Sequence, residues 1–263
     1  MRGLTLALIL LLLMPAMRAS AAPTVGPDDF LRARVQRPDG LPYRLYVPPF
    51  ARPGARLPLI VFLHGAGQNG DDNDAQIAHG ANGALQLLDA AVRRRIPVLF
   101  AAPQNPVDYW KPADVMAVIA DIEARWPVDR RRVYLTGLSS GGTGVWDLLK
   151  AYPDRFAAAV PMSGMTERAG LASIVRVPEW VFHAADDNDT DVETGYGGAM
   201  VGSRAVVRAL RAAGGHPRYT EYAHGPRPAT HVIWPRAYAT PGLLDWMLRQ
   251  RLPADAAAPG ESR

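Results

Sequence analysis

The stretch Val133-Tyr134-Leu135-Thr136-Gly137-Leu138-Ser139-Ser140-Gly141-Gly142-Thr143-Gly144-Val145-Trp146 decides how the rest of the 263-residue chain is read. Its first four residues are apolar or β-branched and predict a buried strand, and residues 143–151 carry a helical pattern. Between them, Gly137 to Gly141 spell G-x-S-x-G in the strand-turn-helix setting that places a serine hydroxyl at the tip of a sharp, strained turn. Glycine two positions either side lets the chain pass itself, while Gly142 and Gly144 let the helix pack closely. The loop has no lysine for a phosphate-binding turn and no G-x-G-x-x-G followed by an acidic residue. Ser139 is therefore the expected nucleophile. Ser140, off the tip, is not.

Working outward, residues 30–36 and 42–47 flank the turn Pro38-Asp39-Gly40 and read as an antiparallel hairpin at a sheet edge. Continuous apolar runs follow at 57–63, 96–101, 132–136, 156–162, 180–183 and 219–222. Runs apolar on both faces suit parallel strands covered by helices on each side. Helical patterns at 76–94, 113–126, 143–151, 203–213 and 241–251 alternate with them. The expected fold class is α/β, a mostly parallel, doubly wound sheet of about eight strands with helices on both faces.

An oxyanion site has a natural place at His64-Gly65-Ala66-Gly67, which ends the run 57–63. A turn of small residues there can aim backbone N–H groups at the point of attack, so the amides of Ala66 and Ser140 are the expected donors. His64 precedes the nucleophile and reads as structural. In a sheet of this kind the acid follows a later strand and the base lies later still. Asp187 is the chosen acid, from the crowd Asp186-Asp187-Asn188-Asp189 at a strand's carboxyl end, with Asp186 and Asp189 as alternatives. His231 is the chosen base and His224 its rival. The spacing of the acidic crowd does not fit an EF-hand calcium loop, because Val192 and Gly198 stand at its sixth and twelfth positions. No metal is expected.

Composition narrows the setting. Hydrophobic residues make up 48% of the chain and there is no cysteine, so packing rather than disulfides must hold one sizeable core. Arg2, the apolar run 4–14 and Ala19-Ser20-Ala21 match a secretory leader over residues 1–21, and the apolar run is shorter than the roughly 20 residues a spanning helix needs. Residues 22–252 form the expected domain and 253–263 an Ala/Pro-rich disordered tail. Losing Arg2 and Arg18 takes two from the formal charge of +4, leaving +2. That is too little to argue for nucleic acid, and the arginine runs at 93–95 and 130–132 read as solvated surface. The expected protein is secreted or periplasmic, with no membrane segment after cleavage and no cofactor.

Together His64-Gly65-Ala66-Gly67, Ala102-Pro103-Gln104, Trp110, the stretch from Val133 to Trp146, Tyr152-Pro153-Asp154-Arg155-Phe156 and His231 to Trp234 resemble the polyhydroxybutyrate-depolymerase-like and carboxylesterase-like branch of the α/β-hydrolases, including exported members known as predicted peptidases. The similarity spans about residues 41–252. It implies the α/β-hydrolase fold without a large lid domain, an esterase-type triad of Ser139, Asp187 and His231, and no metal. His183-Ala184 stands where the family has His-Gly, and 189–200 and 224–230 are longer than usual. Tyr196, amid Gly195, Gly197 and Gly198, is either a substrate-contacting loop or a flexible surface connection. Trp110, Trp146 and Tyr109 are either pocket or core. Trp110, Tyr196 and Trp234 are the candidate substrate contacts.

The expected activity is cleavage of a small or oligomeric carboxylic ester through an acyl-enzyme. A peptidase or amidase needs the same triad, and these motifs do not separate the two. A non-catalytic binding protein on this fold predicts a decayed site, whereas nucleophile, oxyanion turn, acid and base are all present.

Overall fold

The computed structural model describes residues 24–254. The expected leader at 1–21 and most of the expected tail lie outside the described residues. Among the described residues, no helix is long and apolar enough to cross a membrane.

Among the described residues, ten strands and seven α-helices follow one another. The strands are β1 Phe30–Arg34, β2 Pro42–Tyr46, β3 Leu57–Leu63, β4 Leu99–Pro103, β5 Val128–Leu138, β6 Ala158–Met162, β7 Met165–Glu167, β8 Trp180–Ala184, β9 Met200–Gly202 and β10 Arg218–Tyr222. The helices are α1 Ala78–Asn82, α2 Leu85–Arg93, α3 Pro112–Arg125, α4 Ser140–Ala151, α5 Ser203–Ala212, α6 Trp234–Tyr238 and α7 Leu243–Arg249. Eight strands make one sheet in the order β1-β2-β4-β3-β5-β6-β8-β10. The β1/β2 and β2/β4 pairs are antiparallel and the remaining pairs parallel, as the hairpin and the continuous apolar runs predict.

Every residue of β3 is buried, and its alternation divides the core in two. Leu57, Leu59, Val61 and Leu63 join a cluster with Val118 of α3, Leu148 of α4 and Val206 of α5. Ile60 and Phe62 point the other way, to Leu88 of α2, Tyr238 of α6 and Trp246 of α7. The parallel register Phe62↔Thr136 and Leu63↔Gly137 brings the carboxyl end of β3 beside the turn that leaves β5.

Three expectations are corrected. The helix expected over 76–94 is broken: α1 contains left-handed residues His79, Gly80 and Ala81 (φ 51°, 65° and 50°), and the regular helix begins at Leu85. Side chains capture the groups a longer helix would need, since Gln68 Nε2 donates to the carbonyls of Ala75 and Gln76, and the buried Gln76 amide donates to Asn73 Oδ1. The helix expected from Thr143 starts at Ser140 and runs through three glycines against their propensity. Packing overrides that cost: a Cβ on Gly142 would stand 2.5 Å from the Met162 carbonyl, and one on Gly144 2.7 Å from Trp110 Cβ. The final helix, expected over 241–251, is shortened to α7 and preceded by the separate α6. A further two-stranded ribbon, β7 with β9, lies in segments too short to carry a readable alternation.

Candidate active site

Ser139 stands between β5 and α4 with φ 54° and ψ −123°, a conformation that costs a non-glycine residue about 1–3 kcal/mol. The fold over-determines it. Its N–H donates to the Met162 carbonyl at 2.9 Å, and its carbonyl accepts from Thr143 N–H at 3.0 Å. The flanking glycines are sterically required: a Cβ on Gly137 would lie 2.4 Å from the Gly141 carbonyl oxygen, and one on Gly141 2.1 Å from that of Leu63.

His231 comes from the loop between β10 and α6. Its Nε2 is 2.9 Å from Ser139 Oγ, and its Nδ1 is 2.8 Å and 3.0 Å from the two carboxylate oxygens of Asp187. A carboxylate only accepts, so Nδ1 carries the proton and the Nε2 lone pair faces the serine hydroxyl. The imidazole packs edge-on against Trp234, with centroids 5.1 Å apart. Two bonds through Thr230 fasten this loop to the acid's loop: its hydroxyl donates to the Asp186 carbonyl at 2.7 Å and accepts from Asn188 N–H at 3.0 Å.

Asp187 lies just beyond β8 with its side chain fully buried. One oxygen accepts the N–H groups of Asp189 and Thr190 at 3.0 and 2.9 Å, and the other is 3.1 Å from His183 Nε2. Burial alone pushes this carboxyl up, but His183, His231 and the Asp189 N–H outweigh it and hold it well below the usual carboxylate range. Asp187 is thus ionised and fixed. The alternatives sit elsewhere: Asp186 accepts from Gly225 N–H and pairs with the exposed His224 at 3.1 Å. Asp189 is half-exposed, with one oxygen 3.5 Å from His231 Nε2.

On the opposite side, Ala66 opens a single 3₁₀ turn and Ser140 opens α4. The first N–H of a helical segment has no intrahelical acceptor, so both amides are available to an oxygen developing charge. Gly65 brings that turn against the nucleophile, since a Cβ there would be 3.2 Å from Ser139 Cβ. His64 braces the turn from beneath. Its Nδ1–H donates to the Gly65 carbonyl at 2.8 Å, its Nε2 accepts from Asn105 N–H at 2.9 Å, and burial pushes it down to about 4, so it is neutral.

Of the candidate substrate contacts, Trp234 lies against the base. Trp110 does not line a pocket: it is 1% exposed, donates its indole N–H to the His64 carbonyl and fills the gap left by Gly144. Trp146 is likewise core, whereas Tyr109 and Val107 are exposed on a loop held by Asn105 Nδ2. Tyr196 is 64% exposed, and no hydrogen bond or ring contact joins it to Ser139, His231 or Asp187. His183 is the residue the sequence noted only as a departure. It is fully buried, with Nδ1 2.8 Å from Ser203 Oγ and Nε2 2.9 Å from the Thr190 carbonyl as well as near Asp187. Its place at a strand end four residues before the acid was the available signal. Among the described residues, no group of three or more His, Cys, Asp or Glu is arranged to hold a metal ion.

No family model matches the chain, and no curated protein matches its sequence. Solved structures do. A thermostable esterase is 34% identical with a TM-score of 0.77 over 85% of this chain, and the chain spans 64% of that protein's length. A ferulic acid esterase is 17% identical with a TM-score of 0.60, covering 84% of this chain and 98% of the other. The acylaminoacyl peptidase of Pyrococcus horikoshii is 14% identical with a TM-score of 0.59, over 89% of this chain and 43% of its own length. The fold is that of the α/β-hydrolase superfamily, with no large lid domain among the described residues.

Proposed function

We propose that the chain is a serine hydrolase that cleaves carboxylic esters through an acyl-enzyme formed on Ser139. One observation carries the reading: the hydrogen-bonded line Ser139 Oγ, His231 Nε2, His231 Nδ1 and Asp187 Oδ2, with contacts of 2.9 and 2.8 Å, across three segments distant in sequence. Ser139 Oγ attacks the ester carbonyl carbon while His231 Nε2 takes its proton. Asp187 holds the tautomer and steadies the imidazolium. The carbonyl oxygen becomes an oxyanion, which the Ala66 and Ser140 amides receive; each such donor is worth on the order of 10²- to 10³-fold in rate. His231 then returns the proton to the leaving alkoxide as the carbon–oxygen bond breaks. Water attacks the acyl group in the same way, with His231 again as base, and frees Ser139.

The preference for esters is supported by the 34% identity to an esterase. On the motif resemblance, the substrate is a short-chain acyl ester or a polyester fragment. The leader pattern at 1–21 supports a site of action outside the cytoplasm. The test is turnover of nitrophenyl acetate and butyrate beside a panel of peptide amides, with Ser139→Ala as control. Ester hydrolysis lost in Ser139→Ala is expected. Amide cleavage without ester cleavage would convert the reading to a peptidase, and no turnover of either would end it.

A further inference from the structure

We infer that Asp189 is a specificity-determining residue that favours substrates whose leaving group carries a positive charge. The inference rests on the serine-hydrolase reading and concerns one side of that same site. Asp189 follows the acid by two residues, and its N–H is tied to Asp187 Oδ1 at 3.0 Å, so its backbone is fixed by the carboxylate that orients the base. Its own carboxylate turns outward. One oxygen lies 3.5 Å from His231 Nε2, the atom that faces Ser139 Oγ at 2.9 Å, and the side chain is 56% exposed.

The basic side chains nearby are engaged elsewhere. His224 and Arg227 lie 3.1 and 3.6 Å from Asp186, and His183 is buried against Asp187. Among the described residues, no Lys or Arg nitrogen comes within 4.0 Å of the Asp189 carboxylate, and the one histidine that does is the base, His231. It is an uncompensated negative charge at the mouth of the site.

Its position relative to the chemistry follows from proton transfer. The leaving atom takes its proton from His231 Nε2 and so must come within about 3 Å of that nitrogen. The Asp189 oxygen, on the same nitrogen, then stands no more than roughly 6.5 Å from the leaving atom. An ammonium group two or three bonds beyond that atom can reach the carboxylate, and an anion there would be repelled. At partial exposure such a pair is screened but not abolished, and about a tenfold preference is the expected scale. The chemical class is therefore esters of amino alcohols, quaternary or protonated.

The test uses inactivation, which needs only a reactive serine. The probes are diethylphosphoryl thiocholine and its uncharged 3,3-dimethylbutylthio isostere. In both, the Ser139 oxygen–phosphorus bond forms, the phosphorus–sulfur bond breaks, and the serine proton passes by His231 to the departing thiol. The ratio of second-order inactivation constants, charged over neutral, is measured for the full chain and for Asp189→Asn and Asp189→Ser. A ratio that favours the charged reagent and falls about tenfold in both variants is expected. A ratio unchanged by both substitutions, or no preference in the parent chain, overturns the assignment of Asp189. Failure of both reagents to inactivate the parent overturns the serine-hydrolase reading beneath it.

Discussion

His183 Nε2 lies 3.1 Å from Asp187 Oδ2, so the carboxylate that orients His231 is gripped by two imidazoles, one from the end of its own strand and one from the loop after β10. Removing His183 takes its imidazole from beside one buried oxygen of Asp187 and loosens the hold on that oxygen, while the Asp189 and Thr190 N–H groups still grip the other. His183→Ala is expected to lower kcat about tenfold or more with little change in KM, and to cost roughly 2–3 kcal/mol of stability. His183→Gln, which can still donate to Asp187, should recover part of kcat. Steady-state kinetics beside thermal unfolding check this, and a purely structural residue would lose stability without that recovery.

The two late histidines are expected to separate cleanly. His231 touches both Ser139 and Asp187, whereas His224 is exposed and bonded to Asp186. His231→Ala should cost about 10⁴-fold or more in kcat, and His224→Ala less than about threefold. Nitrophenyl butyrate turnover measures both, and the reverse order would move the base to His224.

Strain at the nucleophile has its own signature. Ser139 holds φ 54°, which glycine adopts freely and alanine does not. Ser139→Gly should therefore unfold at higher free energy than Ser139→Ala, by on the order of 1 kcal/mol, with both inactive. Chemical denaturation of the pair measures the difference. Gly141→Ala, whose methyl would meet the Leu63 carbonyl at 2.1 Å, should fold poorly, while Gly67→Ala meets nothing within 4 Å and should keep its stability.

Glu179, just before β8, is 1% exposed, has one oxygen without a hydrogen-bond partner, and is pushed up to about 8 by burial. It is thus protonated in the folded chain when it would be ionised in the unfolded one. Its contribution to stability is fully present below the unfolded value of 4.5 and is lost as pH rises to about 8. The parent chain should lose on the order of 1 kcal/mol per pH unit across that window relative to Glu179→Gln. Unfolding of both proteins at pH 5 and pH 8 checks it. A constant difference would show that Glu179 is not protonated in the fold.

Much of this was legible because local pattern and tertiary demand agree. The apolar runs became the parallel strands, and Gly137-Leu138-Ser139-Ser140-Gly141 fixed the turn because only glycine fits at its two ends. What stayed illegible depends on neighbours far away in the chain. Asp71-Asp72-Asn73-Asp74 repeats the tetrapeptide Asp186-Asp187-Asn188-Asp189 and makes the same pair of side-chain bonds, although only Asn73 is left-handed: Asp72 Oδ1 accepts from Asp74 N–H at 2.7 Å and Ala75 N–H at 3.0 Å, as Asp187 does from Asp189 and Thr190. The sequence dictates the turn, but only the fold brings a histidine to one copy. The broken segment at 76–94 has the same origin, because its periodicity is helical while Gln68 takes the carbonyls of Ala75 and Gln76 at its start and the Gln76 side chain is drawn to Asn73 and the Ala102 carbonyl. Trp110 could not be sorted between pocket and core until Gly144 supplied the gap it fills.

The most direct measurement is mass spectrometry of the full chain after reaction with a fluorophosphonate, with the adduct located by peptide mapping. One adduct is expected, on Ser139, absent in Ser139→Ala and formed orders of magnitude more slowly in His231→Ala. An adduct on another residue, or an unreactive parent chain, would contradict the assignment of Ser139 as a nucleophile activated by His231.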